Sequence, residues 1–322
     1  MRKLVYVLSP GHSGSTLLGL LIGAHPQVAT VGEVKVVPAS FHGAETCACG
    51  APMTQCAFWM RVNGKLQERG LDLRSERFQV HARGGAGAIE RIATSQVREG
   101  LGEALRTMLL HAWPPVGAVW RRLRGANVAL VDSVCEAARR PVFLDTSKDA
   151  SRLRFLAETR AFDLRVLHLI RDGRAVAYSL IKKGTPAQSA ARDWVHEHEQ
   201  ARRLYRAWAD PQRTWMQVSY ERLCEDPTGA LAAMCGFIGI PYDPRMLEFR
   251  EWESHILGNR MRLNSDHTIA LDTSWQENLG DADLATVSRV TAELNRSFGY
   301  PEQVPRASRV RTAPEPVGAA NG

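Results

Sequence analysis

Apolar positions run unbroken from Leu4 to Leu8, stop at Ser9-Pro10-Gly11-His12-Ser13-Gly14-Ser15-Thr16, and resume from Leu17 to Ile22. A short continuous apolar run ending in a glycine-rich turn predicts a strand buried on both faces, and the second run predicts a helix from about Ser15 to Gly23. The same alternation recurs. Val142-Phe143-Leu144 leads through Asp145-Thr146-Ser147-Lys148-Asp149 into a helical pattern over 150–160. Arg165 to Ile170 leads into 173–183, and Thr214 to Val218 leads into 228–238. Strands alternating with helices predict an α/β fold with three layers, a central parallel sheet flanked by helices. In such a sheet ligands bind beyond the carboxyl ends of the strands, where these polar loops fall.

Between the first and second of these strands, residues from about 76 to 125 carry a helical pattern broken at Gly84-Gly85-Ala86-Gly87 and Trp113-Pro114-Pro115. That stretch reads as a helical insertion. Residues 301–322 are rich in Pro, Gly and Ala and read as a disordered tail. Residues 1–300 are expected to form one domain.

Composition narrows the partners. A 322-residue chain with 44% hydrophobic and 23% charged residues matches a soluble globular protein, and no apolar run reaches the roughly 20 residues of a membrane span. The apolar stretch after Arg2-Lys3 is too short for a signal peptide, so a cytoplasmic location is expected. The net charge of +7 suits a polyanionic ligand, but the basic residues are scattered rather than gathered into a nucleic-acid stripe.

The first turn has the chemistry of a phosphate cradle. Gly11 and Gly14 let the backbone approach an anion, the amides and dipole of the following helix face it, and Ser13, Ser15 and Thr16 add hydroxyl donors. Arg171-Asp172-Gly173-Arg174 follows a strand in the same way, with Ser179 about two helical turns further on. A guanidinium and a hydroxyl so spaced suit a second phosphate. The structural alternative is a helix start capped by Asp172 with Arg174 in solvent. Cys47, Cys49 and Cys56 are closely spaced, which in a reducing compartment points to thiol or metal chemistry rather than disulfides. Zinc needs a fourth ligand, for which His42 is the nearby candidate. A loop packed by Phe58 and Trp59 is the preferred reading, and no metal site is assigned.

These segments resemble the sulfotransferases that use 3′-phosphoadenosine 5′-phosphosulfate. Ser13-Gly14-Ser15-Thr16 resembles their phosphosulfate loop, and Arg171 to Ser179 resembles their 3′-phosphate segment. Ser219 to Pro227 and Phe237-Ile238-Gly239-Ile240-Pro241 are similar to later family segments. His255 to Leu263, with Trp275, resembles the loop that closes over the nucleotide, which implies contacts from Asn259 and Arg260.

The nearest likeness is to the tyrosylprotein type and related bacterial enzymes. His25-Pro26 followed by Gly32-Glu33 matches a pattern in which the glutamate is the catalytic base. By the same resemblance Lys148 stabilises the sulfuryl group, Tyr220 lies near the nucleotide, and Lys183 adds a basic contact. His12 stands where the superfamily carries Arg or Lys, which implies an imidazolium beside the leaving phosphate. The resemblance implies in-line transfer to an acceptor hydroxyl (phenol, peptide tyrosine, sugar or natural product), with 3′-phosphoadenosine 5′-phosphate as product and no metal required. A small-molecule kinase would carry G-x-x-x-x-G-K-[ST], which Gly11 to Thr16 is too short to be and which lacks its lysine here. The remaining alternative is a nucleotide-binding protein without turnover, for which the substitution at His12 is the main support. Neither acceptor identity nor oligomeric state is legible.

Overall fold

The computed structural model describes residues 1–81, 87–94, 101–208, 210–252, 254–257 and 268–302. Five strands, β1 (Arg2–Leu8), β2 (Val28–Thr30), β3 (Val142–Lys148), β4 (Phe162–Ile170) and β5 (Trp215–Ser219), form one sheet in the order β2-β3-β1-β4-β5. Every pairing is parallel. The chain leaves β1 toward β2 and β3 on one side and later crosses to β4 and β5 on the other. The carboxyl end of β1 is therefore the topological switch point where open α/β sheets bind ligands.

Strand β1 shows why the sheet is central. Leu4, Tyr6 and Leu8 join one core cluster and Val5 and Val7 join the opposite one, and all five are buried. An unbroken apolar strand fits this double burial, because successive side chains point to opposite faces. On the Val5 face lie α1 (Ser15–Gly23) and, later in the chain, the short α11 (Tyr220–Glu225) and α12 (Pro227–Ile238). On the Leu4 face the chain packs helices that follow β2, namely α2 (Val37–His42), α3 (Ala57–Gln67) and α6 (Pro114–Ala138), with α4 (Ala88–Thr94) and α5 (Leu101–Ala112) packed on α6. The layer continues with α7 (Ala150–Glu158), α8 (Gly173–Ile181) and α9 (Ala187–Ala207), and α14 (Asp281–Ser297) packs on α8 and α9. The short α10 (Pro211–Thr214) precedes β5, and α13 (Ser274–Asn278) packs Trp275 against α8.

Several boundaries differ from the sequence expectation. β3 continues through Asp145 to Lys148, where the polar run reads as loop, because Asp145 is fully buried and ion-paired at 2.9 Å with equally buried Arg152. Between β2 and β3 lie the helices α2 to α6, with a break at Trp113 before α6 opens on Pro114. Arg174 is buried against Asp172 rather than solvated, although Asp172 does cap α8. Gly84 to Ala86, Asn259, Arg260 and residues 303–322 of the expected tail lie outside the described residues. Among the described residues no helix is long and apolar enough to cross a membrane.

Candidate active site

The turn after β1 is built on two left-handed residues, His12 with φ 66° and Gly14 with φ 88°. Gly14 caps α1, and any Cβ there would collide with the Tyr220 ring, so the position requires glycine on two counts. Ser13 is buried in the turn and its hydroxyl has no hydrogen-bond partner among the described residues.

A cavity of about 460 Å³ opens over this turn. His12, Gly14, Ser15 and Thr16 form one wall, with Arg171, Ser179 and Tyr220 on another and Lys148 at one end. Arg171 follows the last residue of β4. Its guanidinium lies 4.4 Å over the Tyr220 ring and donates to the His12 carbonyl at 3.0 Å. Its second nitrogen donates at 3.2 Å to the Asp272 carboxylate, an anion from the returning C-terminal segment. Ser179 lies further along α8 and its hydroxyl donates to the Ala175 carbonyl. Lys183 is exposed just beyond α8, with Nζ 3.2 Å from His12 Nε2.

The cationic surroundings act on His12 itself. Burial, then Lys183, Lys148, Arg171 and Lys182, hold its pKa below the ordinary imidazole value. The imidazolium implied by the resemblance is therefore disfavoured until an anion enters. Burial pushes the Tyr220 phenol up to about 12, so it is neutral and serves as a packing face and weak donor.

Glu33 and Lys148 meet at the edge of this cavity. Glu33 precedes a 3-10 turn over Val34–Val36, and Lys148 ends β3 in the left-handed region with φ 67°. Lys148 Nζ donates to Glu33 Oε1 at 2.5 Å, and both side chains are mostly buried. The pair faces a small niche shared with Thr16, Thr146 and Leu257. The strand end that carries Lys148 is braced: Asp145 accepts from the Ser147 amide, and the Ser147 hydroxyl accepts from the Lys35 amide.

A glycine turn with an unpartnered hydroxyl, a stacked arginine and a lysine–glutamate pair thus share one end of the sheet. A family model described as the sulfotransferase family matches residues 5–244. The chain belongs to the sulfotransferase family. No curated protein matches it. Among solved structures it is similar to the sulfotransferase domain of the Synechococcus PCC 7002 olefin synthase, at 20% identity and a TM-score of 0.52, covering 94% of this chain and 95% of that one. It is also similar to the sulfotransferase domain of the curacin biosynthetic pathway, at 15% identity and a TM-score of 0.51, covering 94% and 99%. At these identities the two likenesses bear on the fold.

In this sulfotransferase, His12, Gly14, Ser15, Thr16, Lys148, Arg171, Ser179 and Tyr220 line one cavity, and Lys183 borders it through His12. Gly11 instead faces a second cavity of about 380 Å³ on the far side of the turn. That cavity is bounded by Ser9, Pro10, Lys35, Lys148, His196 and Glu197, so Lys148 belongs to both. Sequence reasoning missed Asp272, Lys35 and Glu197. Asp272 reaches the site through chain return and Glu197 through the packing of α9, while Lys35 lies on the 3-10 turn that follows Glu33. It also missed the clamp on Glu33. Leu257 donates to the Val31 carbonyl at 2.8 Å, and its own carbonyl accepts from the Glu33 amide at 3.4 Å.

Proposed function

We propose that this chain transfers a sulfuryl group from 3′-phosphoadenosine 5′-phosphosulfate to an acceptor hydroxyl, with Glu33 as general base. The observation that carries this reading is the Glu33–Lys148 pair, whose lysine lines the same cavity as the glycine turn and Arg171.

The residues present fit the donor. Ser13 to Thr16 and the first turn of α1 would hold the 5′-phosphosulfate, a position suited to anions by orphan amides and dipole. Arg171 and Ser179 would hold the 3′-phosphate, with Lys183 beside them, and Tyr220 would support the nucleotide. The donor supplies the activated sulfuryl group. The chain supplies positioning and charge stabilisation, the main contributions in related phosphoryl transfer. Glu33 accepts the acceptor's proton, worth about 10²–10⁴ in rate for a positioned base. Lys148 neutralises charge developing between donor and acceptor. Entry of phosphate dianions among Lys183, Lys148 and Arg171 reverses the field on His12 and favours its imidazolium, which then assists the leaving phosphate.

The acceptor enters through the second cavity, because Lys148 is common to both cavities and Lys35, two residues after Glu33, lines the second. Calorimetric titration with 3′-phosphoadenosine 5′-phosphate, AMP and ATP without magnesium tests the donor half. Selective binding of the bisphosphate that collapses in Arg171→Ala supports the reading, and preference for ATP overturns it.

A further inference from the structure

Away from both cavities, the three clustered cysteines meet a histidine from the other end of the chain. Cys47 and Cys49 lie on the loop after α2, Cys56 is the residue before α3, and His255 arrives 199 positions after Cys56. Their ligand atoms all lie within 4.8 Å of one another. His255 Nδ1 is 3.5 Å from Cys47 Sγ and 3.5 Å from Cys56 Sγ, and Cys49 Sγ is 3.6 Å from Cys56 Sγ. A tetrahedron with zinc bond lengths of ~2.3 Å to sulfur and ~2.05 Å to nitrogen separates S and N by roughly 3.6 Å and two sulfurs by roughly 3.8 Å. These three spacings sit near those values, and the Cys49 and Cys56 sulfurs are well beyond the ~2.05 Å of a disulfide.

Backbone amides are directed at two of the sulfurs. The Cys49 amide donates to Cys47 sulfur, and the Phe58 and Trp59 amides at the start of α3 donate to Cys56 sulfur. The loop is a tight turn: Gly50 has φ 89° and donates to the Cys47 carbonyl, and Cys47 donates to the Ala51 carbonyl. The His255 ring is stacked on Phe58 with centroids 4.3 Å apart, which fixes the direction of Nδ1 toward the sulfurs. His42, the fourth ligand suggested by sequence proximity, is exposed at the end of α2 and outside this group.

We infer that Cys47, Cys49, Cys56 and His255 bind one Zn²⁺ as a closed structural site. Three thiolates and one imidazole fill a tetrahedral shell, leaving no position for substrate, and binding releases the thiol protons to solvent. The consequence is mechanical. His255 is two residues before Leu257, the residue that bridges Gly32 and accepts from the Glu33 amide. The ion therefore fastens the C-terminal segment to the α2–α3 loop and holds the clamp on Glu33. This assignment rests on the cluster alone and stands whatever the acceptor or donor.

The full chain, purified under reducing conditions without chelator, is tested by elemental analysis and by cobalt(II) exchange. About one equivalent of zinc per chain is expected, and cobalt is expected to give tetrahedral d–d bands with thiolate charge transfer. His255→Phe keeps the stacking surface and is expected to lose tight metal binding. His255→Cys is expected to retain the ion with a shifted cobalt spectrum, and His42→Ala is expected to retain it unchanged. Should a ligand variant fail to fold, protection of Cys47, Cys49 and Cys56 from alkylation in the wild-type chain, lost on chelation, gives the same answer. Folded protein that takes up neither zinc nor cobalt, or that retains zinc fully in His255→Phe, overturns the assignment. So does a Cys49–Cys56 disulfide whose reduction restores no metal uptake.

Discussion

Lys148 reaches across from the end of β3 to place its ammonium 2.5 Å from Glu33 Oε1, and it does so from a left-handed backbone conformation. A bulky residue held there is costly unless its neighbours fix it, and such positions cluster at working sites. Register between β1 and β3 slips just before Lys148, which re-aims the side chain out of the sheet. Glu33→Gln is expected to lower turnover by about 10²–10⁴-fold while nucleotide affinity changes little. Lys148→Met is expected to lower both. The double variant should be no slower than the worse single one, because the two act as a unit. Steady-state kinetics with nucleotide titration checks this, and near-wild-type turnover in Glu33→Gln removes it as base.

Arg171 shares its guanidinium with the Asp272 carboxylate, so an incoming phosphate must compete with an internal anion. Arg171→Ala should weaken binding of the bisphosphate nucleotide by about 10–100-fold, the loss of a charged hydrogen-bond donor. Asp272→Asn should act oppositely and tighten it several-fold. Calorimetry on the two variants distinguishes this from general damage, since only competition predicts opposite signs.

Gly14→Ala meets both a positive φ and the Tyr220 ring. It should destabilise the fold by more than about 1 kcal/mol and abolish nucleotide binding. Gly11→Ala has open space around its Cβ and should leave nucleotide affinity intact. Thermal melting and titration of the pair read out the difference.

His168 and His198 form a buried pair at 3.0 Å between β4 and α9. Burial lowers His168 to about 4 and holds His198 well below the ordinary imidazole value, chiefly by burial and then through His168 and Arg202. Both bind protons more readily when unfolded, so their contribution is complete above pH ~6.5 and is lost as pH falls toward the folded values. For His168 alone the loss amounts to about 3 kcal/mol at 1.36 kcal/mol per pKa unit. Denaturant melts between about pH 7.5 and 5, still largely above the carboxylate range, should show this slope, and His168→Gln should reduce it.

Much of the frame is legible because it is local. The apolar runs at 4–8 and 165–170, the cap at Asp172 and the prolines at 114 and 227 act on their own neighbours. The glycine turn and Arg171 stand out for the same reason, since each follows a strand and strand ends converge, whereas Lys148 stands out only through the family resemblance. Residues that depend on chain return were not legible. Asp272 reads as an ordinary loop aspartate until it is seen 3.2 Å from Arg171. His255 lies 208 positions from Cys47, and nothing in its neighbours announces a shared site, whereas His42 had only proximity to recommend it. β2 has three residues, too few to show a period, and Asp145 reads as loop because its burial is offset by an arginine seven positions on.

The turn after β1 is a party wall. His12, Gly14, Ser15 and Thr16 face one chamber, while Ser9, Pro10 and Gly11 face the other. Lys148 is the common doorpost. Under the proposed reaction the rooms can be refurnished separately. Substitutions at His196, Glu197 or Lys35 redraw what the second chamber admits without disturbing the grip on the nucleotide. A lineage can thereby change its clientele while keeping one currency of transfer.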